Sequence, residues 1–280
     1  IVALTAFYQN SVWGLSVGST IFNNPTFAAP YLIFHFFWGI YQTLSRKKWF
    51  FGLGAALLLI AIGLGQVRGA ILGFIAGILF LLIDLFLTGA FGKRIRILLA
   101  ACFLVILIVI AGFWQFRNTD FLRNGPLRKF TEISLANTTV KTRLLAWQVS
   151  LKGFRSDGWR IILGVGPENF NYIFNRYYDP KFLKFGGGGL GETWFDKPHN
   201  AFLEILTEVG IIGSLAYALV WLAAGLALYK LFKGNEKLLS IILSGVFVTY
   251  LGAVFFSFDS FGSWFGLYLM LGFLASYDKF

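Results

Sequence analysis

Apolar residues in this chain fall in long unbroken blocks separated by short charged connections. Six windows hold no Asp, Glu, Lys or Arg at all: 27–45, 49–67, 97–116, 211–229, 238–258 and 260–277. A seventh, 69–88, carries only Asp84. Each is close to the ~20 residues a helix needs to cross ~30 Å of hydrocarbon. Backbone groups in lipid must be satisfied within the segment or in a closed barrel. Barrel strands would alternate inward and outward over about ten residues, and these windows do not. The expectation is an all-α, polytopic transmembrane bundle of seven helices with one large, partly helical loop.

The polar residues between the windows suggest an orientation. Arg46-Lys47-Lys48, Lys93-Arg94-Arg96 and Lys230-Lys233-Lys237 supply nine basic residues to alternate connections. The other short connections hold Arg68 and, around Asp259, no basic residue. Basic clusters mark the cytoplasmic side, so Arg68, the 115–199 loop and the Asp259 turn are expected outside it. The chain divides on this reading into an N-terminal part with four membrane helices (1–116), an extracytoplasmic loop (117–199), and a re-entrant amphipathic helix with three more membrane helices (200–280).

Composition agrees with the blocks. Hydrophobic residues make up 57% and charged residues 13% of the chain, with a mean hydropathy of +0.71, against about 25% charged residues in a soluble domain. The chain opens on Ile1, without a basic leader and cleavage site, and reads as the C-terminal part of a longer protein. The single cysteine, Cys102, lies inside an apolar window, so no disulfide framework or cysteine metal cluster is expected. The net charge of +11 forms no continuous basic stripe, which argues against nucleic acid. In the 115–199 loop thirteen Lys or Arg face seven Asp or Glu. Such a loop at a bilayer surface suits an anionic, phosphate-bearing lipid, with general attraction to anionic headgroups as the plainer alternative. The glycine run Gly186 to Gly189 reads as a mobile hinge or lid.

Three polar stretches stand apart from this background. The first is Gly65-Gln66-Val67-Arg68-Gly69-Ala70, an arginine between two membrane windows. The second is Thr142-Arg143-Leu144-Leu145-Ala146-Trp147, followed by Leu163-Gly164-Val165-Gly166-Pro167-Glu168-Asn169-Phe170. The third is Pro198-His199-Asn200-Ala201-Phe202-Leu203-Glu204, running into Glu208-Val209-Gly210 as the chain re-enters the membrane.

In order, spacing and side of the membrane, these stretches resemble the O-antigen ligase and O-antigen polymerase superfamily. The resemblance is carried by HN-x-x-L-x-x-x-x-E-x-G closing the loop, G-x-G-x-x-x-F before it, and R-x-x-x-W before that. The Phe22-Asn23-Asn24-Pro25 stretch is similar to the family's pattern as well. The resemblance implies a glycosyltransferase without a metal or other cofactor. It would move a glycan from an undecaprenyl-pyrophosphate donor to a glycan, lipid or protein acceptor at the outer face of the cytoplasmic (inner) membrane. Carried over residue by residue, Arg68 and Arg143 hold the pyrophosphate and His199 activates the acceptor. Trp147, Gly164, Gly166, Asn169, Asn200 and Glu208 support them.

The residue types suit those tasks. A guanidinium stays charged and offers a planar fork to phosphate oxygens. Fixed cations facing developing charge typically supply the largest catalytic contribution. Imidazole, with an unperturbed pKa near ~6.5, accepts a proton at neutral pH. Pro198 restricts the backbone beside His199, and Asn200 is a good N-cap for the helix that follows. Glu204 and Glu208, four apart, share a helix face, so either is placed to orient a neighbouring cation.

Plainer readings compete with each assignment. Arg68 alone would be a snorkelling interfacial anchor, and Arg143 alone one more solvated charge. His35, within the first window and outside any motif, reads as a helix-packing histidine. Glu192 and Asp196, flanking Thr193-Trp194-Phe195, read as a sugar-binding group, with a metal pair as the alternative. For the whole chain, a ligase of the O-antigen type leads. A repeat-unit polymerase, a protein O-glycosyltransferase, a membrane transporter and a receptor-like protein without chemistry remain open.

Overall fold

The structure, a computed structural model, describes residues 24–89, 91–125, 128–134, 136–156, 158–186 and 192–277. Phe22 and Asn23 of the asparagine-proline stretch, and Gly187, Gly188 and Gly189 of the glycine run, lie outside the described residues.

Each apolar window folds as a helix, and the described residues contain no strand. In chain order the helices are α1 (Pro25–Arg46), α2 (Trp49–Gly65), α3 (Arg68–Thr88) and α4 (Lys93–Phe116). The short α5 (Asp120–Arg123), α6 (Arg128–Thr131), α7 (Thr138–Phe154), α8 (Gly158–Leu163), α9 (Phe170–Arg176) and α10 (Lys181–Gly186) follow. The chain closes with α11 (Ala201–Lys233), α12 (Lys237–Phe255) and α13 (Phe261–Tyr277). Helices α3, α4, α11 and α12 are long and apolar enough to cross a membrane, and α2 and α13 are shorter apolar helices of 17 residues each. The protein is a multi-pass helical membrane protein.

Helix ends follow local chemistry. Asn24 caps α1 by accepting the Thr26 N–H at 2.9 Å, with proline at the first helical position, where its missing N–H costs nothing. Lys47, Gln66 and Gly89 close α1, α2 and α3 in the left-handed conformation. Helix α12 stops at Phe255, short of the end of its 238–258 window, so Phe256 and Phe258 belong to a connecting turn. His35 is satisfied within its own helix: its Nδ1 lies 2.8 Å from the Tyr31 carbonyl and its ring 4.2 Å from the Tyr31 ring.

Two compact units emerge. One holds Ile1–Thr131, Ala224–Ala253 and Ser260–Phe280; the other holds Glu132–Ala223 and Val254–Asp259. In the first, α3 and α12 touch backbone to backbone. A Cβ added at Gly73 would lie 2.5 Å from the Thr249 carbonyl oxygen and 2.9 Å from the Gly252 carbonyl carbon. Small residues permit such approach, and without a hydrophobic driving force in lipid it is packing that associates helices.

The second unit has a core of soluble type. Phe170, Phe174, Phe182 and Phe195 are all but fully buried against Leu145, Ala146, Val149 and Ile173 of α7 and α9. Burial of one such side chain contributes about 1.5–3 kcal/mol, so this core fixes the loop between α7 and α11 as a packed body.

Candidate functional site

The site grows from a break in α11. Gly210, with φ 63° and ψ −165°, interrupts that helix and separates the stretch 201–209, which carries Glu204, Thr207 and Glu208, from the apolar run 211–229. An interrupted helix leaves carbonyls without their usual donors. Two of them, on Thr207 and Glu208, accept the N–H groups of Val165 and Gly166 at 3.1 and 2.8 Å. The Gly164–Gly166 segment therefore repairs the break. Gly164 (φ 72°) and Gly166 (φ 94°) adopt backbone conformations open to glycine and closed to most side chains. A Cβ on Gly164 would press on the Glu208 backbone and lie 2.5 Å from the Val209 nitrogen.

Glu208 completes the repair from the other side. Its carboxylate accepts the Glu168 N–H at 2.9 Å and the Phe170 N–H at 3.3 Å, which caps α9. Asn169 occupies the N-cap position of α9 without capping through its side chain; its amide instead donates to the Val165 carbonyl at 3.1 Å. Burial raises the Glu208 carboxyl above its ordinary value against those hydrogen bonds and the Lys197 charge. Gly164, Gly166, Asn169 and Glu208 thus form one hydrogen-bonded knot.

His199 stands at the start of the same arm. Its backbone is left-handed (φ 54°). Asn200 caps α11 as the sequence suggested: its side chain accepts the Leu203 N–H at 3.0 Å and its carbonyl the Glu204 N–H at 2.9 Å. The His199 side chain is 13% exposed and sits between the edges of Phe195 and Phe258, with ring centroids 5.3 and 5.1 Å away. Its Nδ1 lies 3.2 Å from the Lys197 carbonyl. A carbonyl only accepts, so Nδ1 carries the proton and Nε2 keeps its lone pair. Burial pushes His199 below its ordinary value and the Arg143 guanidinium pushes it further, while Glu192, the Lys197 carbonyl and Asp196 pull back. At neutral pH the ring is an uncharged acceptor at Nε2, which faces a Glu192 oxygen at 3.8 Å.

Arg143 projects from α7, and its Nη1 donates to the Phe256 carbonyl at 3.0 Å. Phe256 and the Phe258 that touches His199 belong to the same turn. One turn further along α7, Trp147 packs edge-on against Phe255, 5.7 Å between centroids, and its buried indole N–H has no acceptor among the described residues. The second unit therefore joins Arg143, Trp147, His199, Asn200, Asn169, Glu208 and the two loop glycines. Arg68 lies in the first unit, half-buried at the first position of α3.

The residue that sequence reasoning missed is Lys197. Its Nζ lies 2.6 Å from Glu204 and 3.0 Å from Glu168, while its carbonyl holds His199. Burial works against the ammonium charge, but the bonds and attraction to Glu204 and Glu168 outweigh it and hold Lys197 above its ordinary value. Glu204 lies on the 201–209 arm, before the uncharged run 211–229. Burial drives its carboxyl up to about 7, with Lys197 pulling the other way. Its second oxygen, Oε2, is buried without a donor among the described residues. The shared face of Glu204 and Glu208 therefore splits its work: one holds a cation, the other backbone N–H groups. Glu192 is exposed, and the Trp194 indole donates to Asn175 at 3.0 Å. Among the described residues no group of three His, Cys, Asp or Glu converges on a point.

Residues 53–218 match the family model described as O-antigen ligase. Neither the curated proteins nor the solved structures give a match to the chain.

Proposed function

The chain belongs to the O-antigen ligase family, and from that premise we propose that it transfers a glycan from a polyprenyl-pyrophosphate donor to an acceptor hydroxyl, with His199 as the base. The family supports a glycosyltransferase of ligase or polymerase type. The observation that carries the finer reading is the setting of the His199 ring: largely enclosed, with Nδ1 at the Lys197 carbonyl and its pKa held down by burial and by the Arg143 charge.

In the proposed step, Nε2 takes the acceptor hydroxyl proton as that oxygen attacks the anomeric carbon. The bond from the anomeric carbon to the pyrophosphate oxygen breaks, and its electron pair leaves with the diphosphate. Direct displacement inverts the anomeric centre. Arg143 holds the departing charge, and Arg68 is assigned the same ligand by its place in the family pattern. A cation that also keeps His199 neutral serves both halves of the reaction, because the base must be unprotonated when the anion forms. We place this chemistry at the outer face of the cytoplasmic membrane, since the basic clusters between the other helices assign the opposite side to the cytoplasm.

The test uses purified protein, an undecaprenyl-pyrophosphate oligosaccharide and an acceptor sugar. Asparagine tolerates the left-handed backbone of position 199, so His199→Asn removes the base and spares the turn. It is expected to lower turnover by about 10²–10⁴-fold with donor affinity retained. Arg143→Gln is expected to weaken donor binding as well. Near wild-type transfer by His199→Asn would end the assignment.

A further inference from the structure

Helix α8 presents an exposed apolar edge. Trp159 is 72% exposed, Leu163 57% and Ile162 40%. Lys152 and Arg155, both exposed, end the preceding helix α7, and Arg160, half-buried, lies on α8 itself. In the stretch 152–160 these three basic residues meet one acidic residue, Asp157. The position of α8 gives the pattern its meaning. A Cβ on Gly210 would press on the Ile162 carbonyl and lie 2.6 Å from the Gly164 nitrogen, so the C-terminal end of α8 rests against the break in α11. The next residues on α11 begin its membrane-crossing run with exposed apolar side chains: Ile211 43%, Ile212 57% and Leu215 60%. The C-terminal end of α8 therefore meets α11 where its exposed apolar run begins.

We propose that α8 is an in-plane membrane anchor. Trp159, Ile162 and Leu163 lie in the lipid boundary on the loop side of the bilayer, and Lys152, Arg155 and Arg160 bind the phosphates of anionic headgroups. Tryptophan favours this depth because its ring is apolar and its N–H polar. Lysine and arginine stems lie along apolar surface while their heads reach the headgroup layer. The anchor requires nothing of the transfer chemistry and stands whichever acceptor the protein uses.

The test places the whole chain, with Cys102→Ser, in nanodiscs of phosphatidylcholine or phosphatidylglycerol. Trp159→Cys or, separately, Ile162→Cys carries a bimane label. Lipids brominated along their chains should quench both labels more than aqueous iodide does. Quenching by bromolipid should be stronger in phosphatidylglycerol, and Lys152→Gln and Arg155→Gln should each reduce that preference by up to about fivefold. Quenching by iodide alone overturns the anchor. So does a label that responds to a soluble oligosaccharide instead of to lipid, which would make the edge a glycan platform. Equal bromolipid quenching in the two lipids overturns the headgroup part.

Discussion

Glycine brings backbones into contact in both units, with different consequences. At Gly73 the chain is helical and the neighbour is another helix, so the residue is needed for its lack of volume. At Gly164, Gly166 and Gly210 the backbone is left-handed, so the residue is needed for its conformation as well. Polar groups divide the same way. In the first unit Thr249 and Ser240 donate to the Gly245 and Leu228 carbonyls, at 2.8 and 2.7 Å, which closes hydrogen bonds inside an apolar bundle. In the second unit a lysine, three glutamates and a histidine share a few ångströms of partly buried space. One region is specified by shape, the other by conformation and charge. The charged one bears the groups capable of proton and phosphate chemistry.

That contrast can be broken first at Gly210. Gly210→Val adds strain at a positive φ to a clash with the α8 backbone, and should cost on the order of 3 kcal/mol or more. Thermal unfolding in detergent measures it, and a variant as stable as the parent would show that the break is not a fixed feature. In the bundle, Gly77→Ala and Gly73→Ala should each cost about 1–3 kcal/mol. A Cβ at Gly77 first meets the Thr249 side chain, whereas at Gly73 it meets only backbone of 249–253. Thr249→Gly should therefore restore part of the loss at Gly77 and none at Gly73.

Charge supplies the next test. Lys197→Met leaves Glu204 buried without its cation, and should cost about 1–3 kcal/mol at neutral pH. Because the native carboxyl of Glu204 already titrates at about 7, the folded state holds a proton that the unfolded chain releases above its ordinary 4.5. The stabilisation from that proton is complete below 4.5 and is lost as pH rises through the folded value. Without Lys197 the folded value climbs further, so this loss moves to higher pH. Stability measured from pH 5 to 9 should show the shift; a profile parallel to the parent's would contradict it.

His199 carries the opposite sign. With a folded value below 6.5, it stays neutral where the unfolded chain binds a proton. Its contribution to stability is present above 6.5 and is lost as pH falls through the folded value. Arg143→Gln removes the second cause of that depression and should move the titration towards 6.5. The chain has two histidines, so carbon-13 labelling of the imidazoles gives two signals, of which the one lost in His199→Asn reports this group. An unmoved His199 would uncouple the pair. The smallest effect belongs to Asn200→Ala, which removes a cap worth about 1 kcal/mol and leaves both charge clusters in place.

Much of this was legible in the sequence. The seven apolar windows became helices because length and the absence of charge leave lipid-embedded backbone no other solution. Asn200 followed from side-chain capping, and Gly164, Gly166 and Glu208 from their motifs. The rest depended on contacts no local pattern encodes. Lys197 looked like one of thirteen basic loop residues until the fold put Glu168 and Glu204 beside it. Phe256 and Phe258 read as membrane helix, yet α12 ends before them and the turn they form meets Arg143 and His199, more than fifty residues away in sequence. The left-handed backbone at His199 and Glu168 belongs to residue types that gave no warning of it.

The interruption of α11 has an electrical consequence. Because Gly210 ends one helical arm and starts another, residues 201–209 form a separate dipole about 14 Å long. Its positive end, where peptide N–H groups point outward, lies next to His199. A partial positive potential there disfavours imidazolium and welcomes an incoming anion. An unbroken rod through the bilayer would spread one dipole over its full length; the fracture concentrates a second field beside the imidazole.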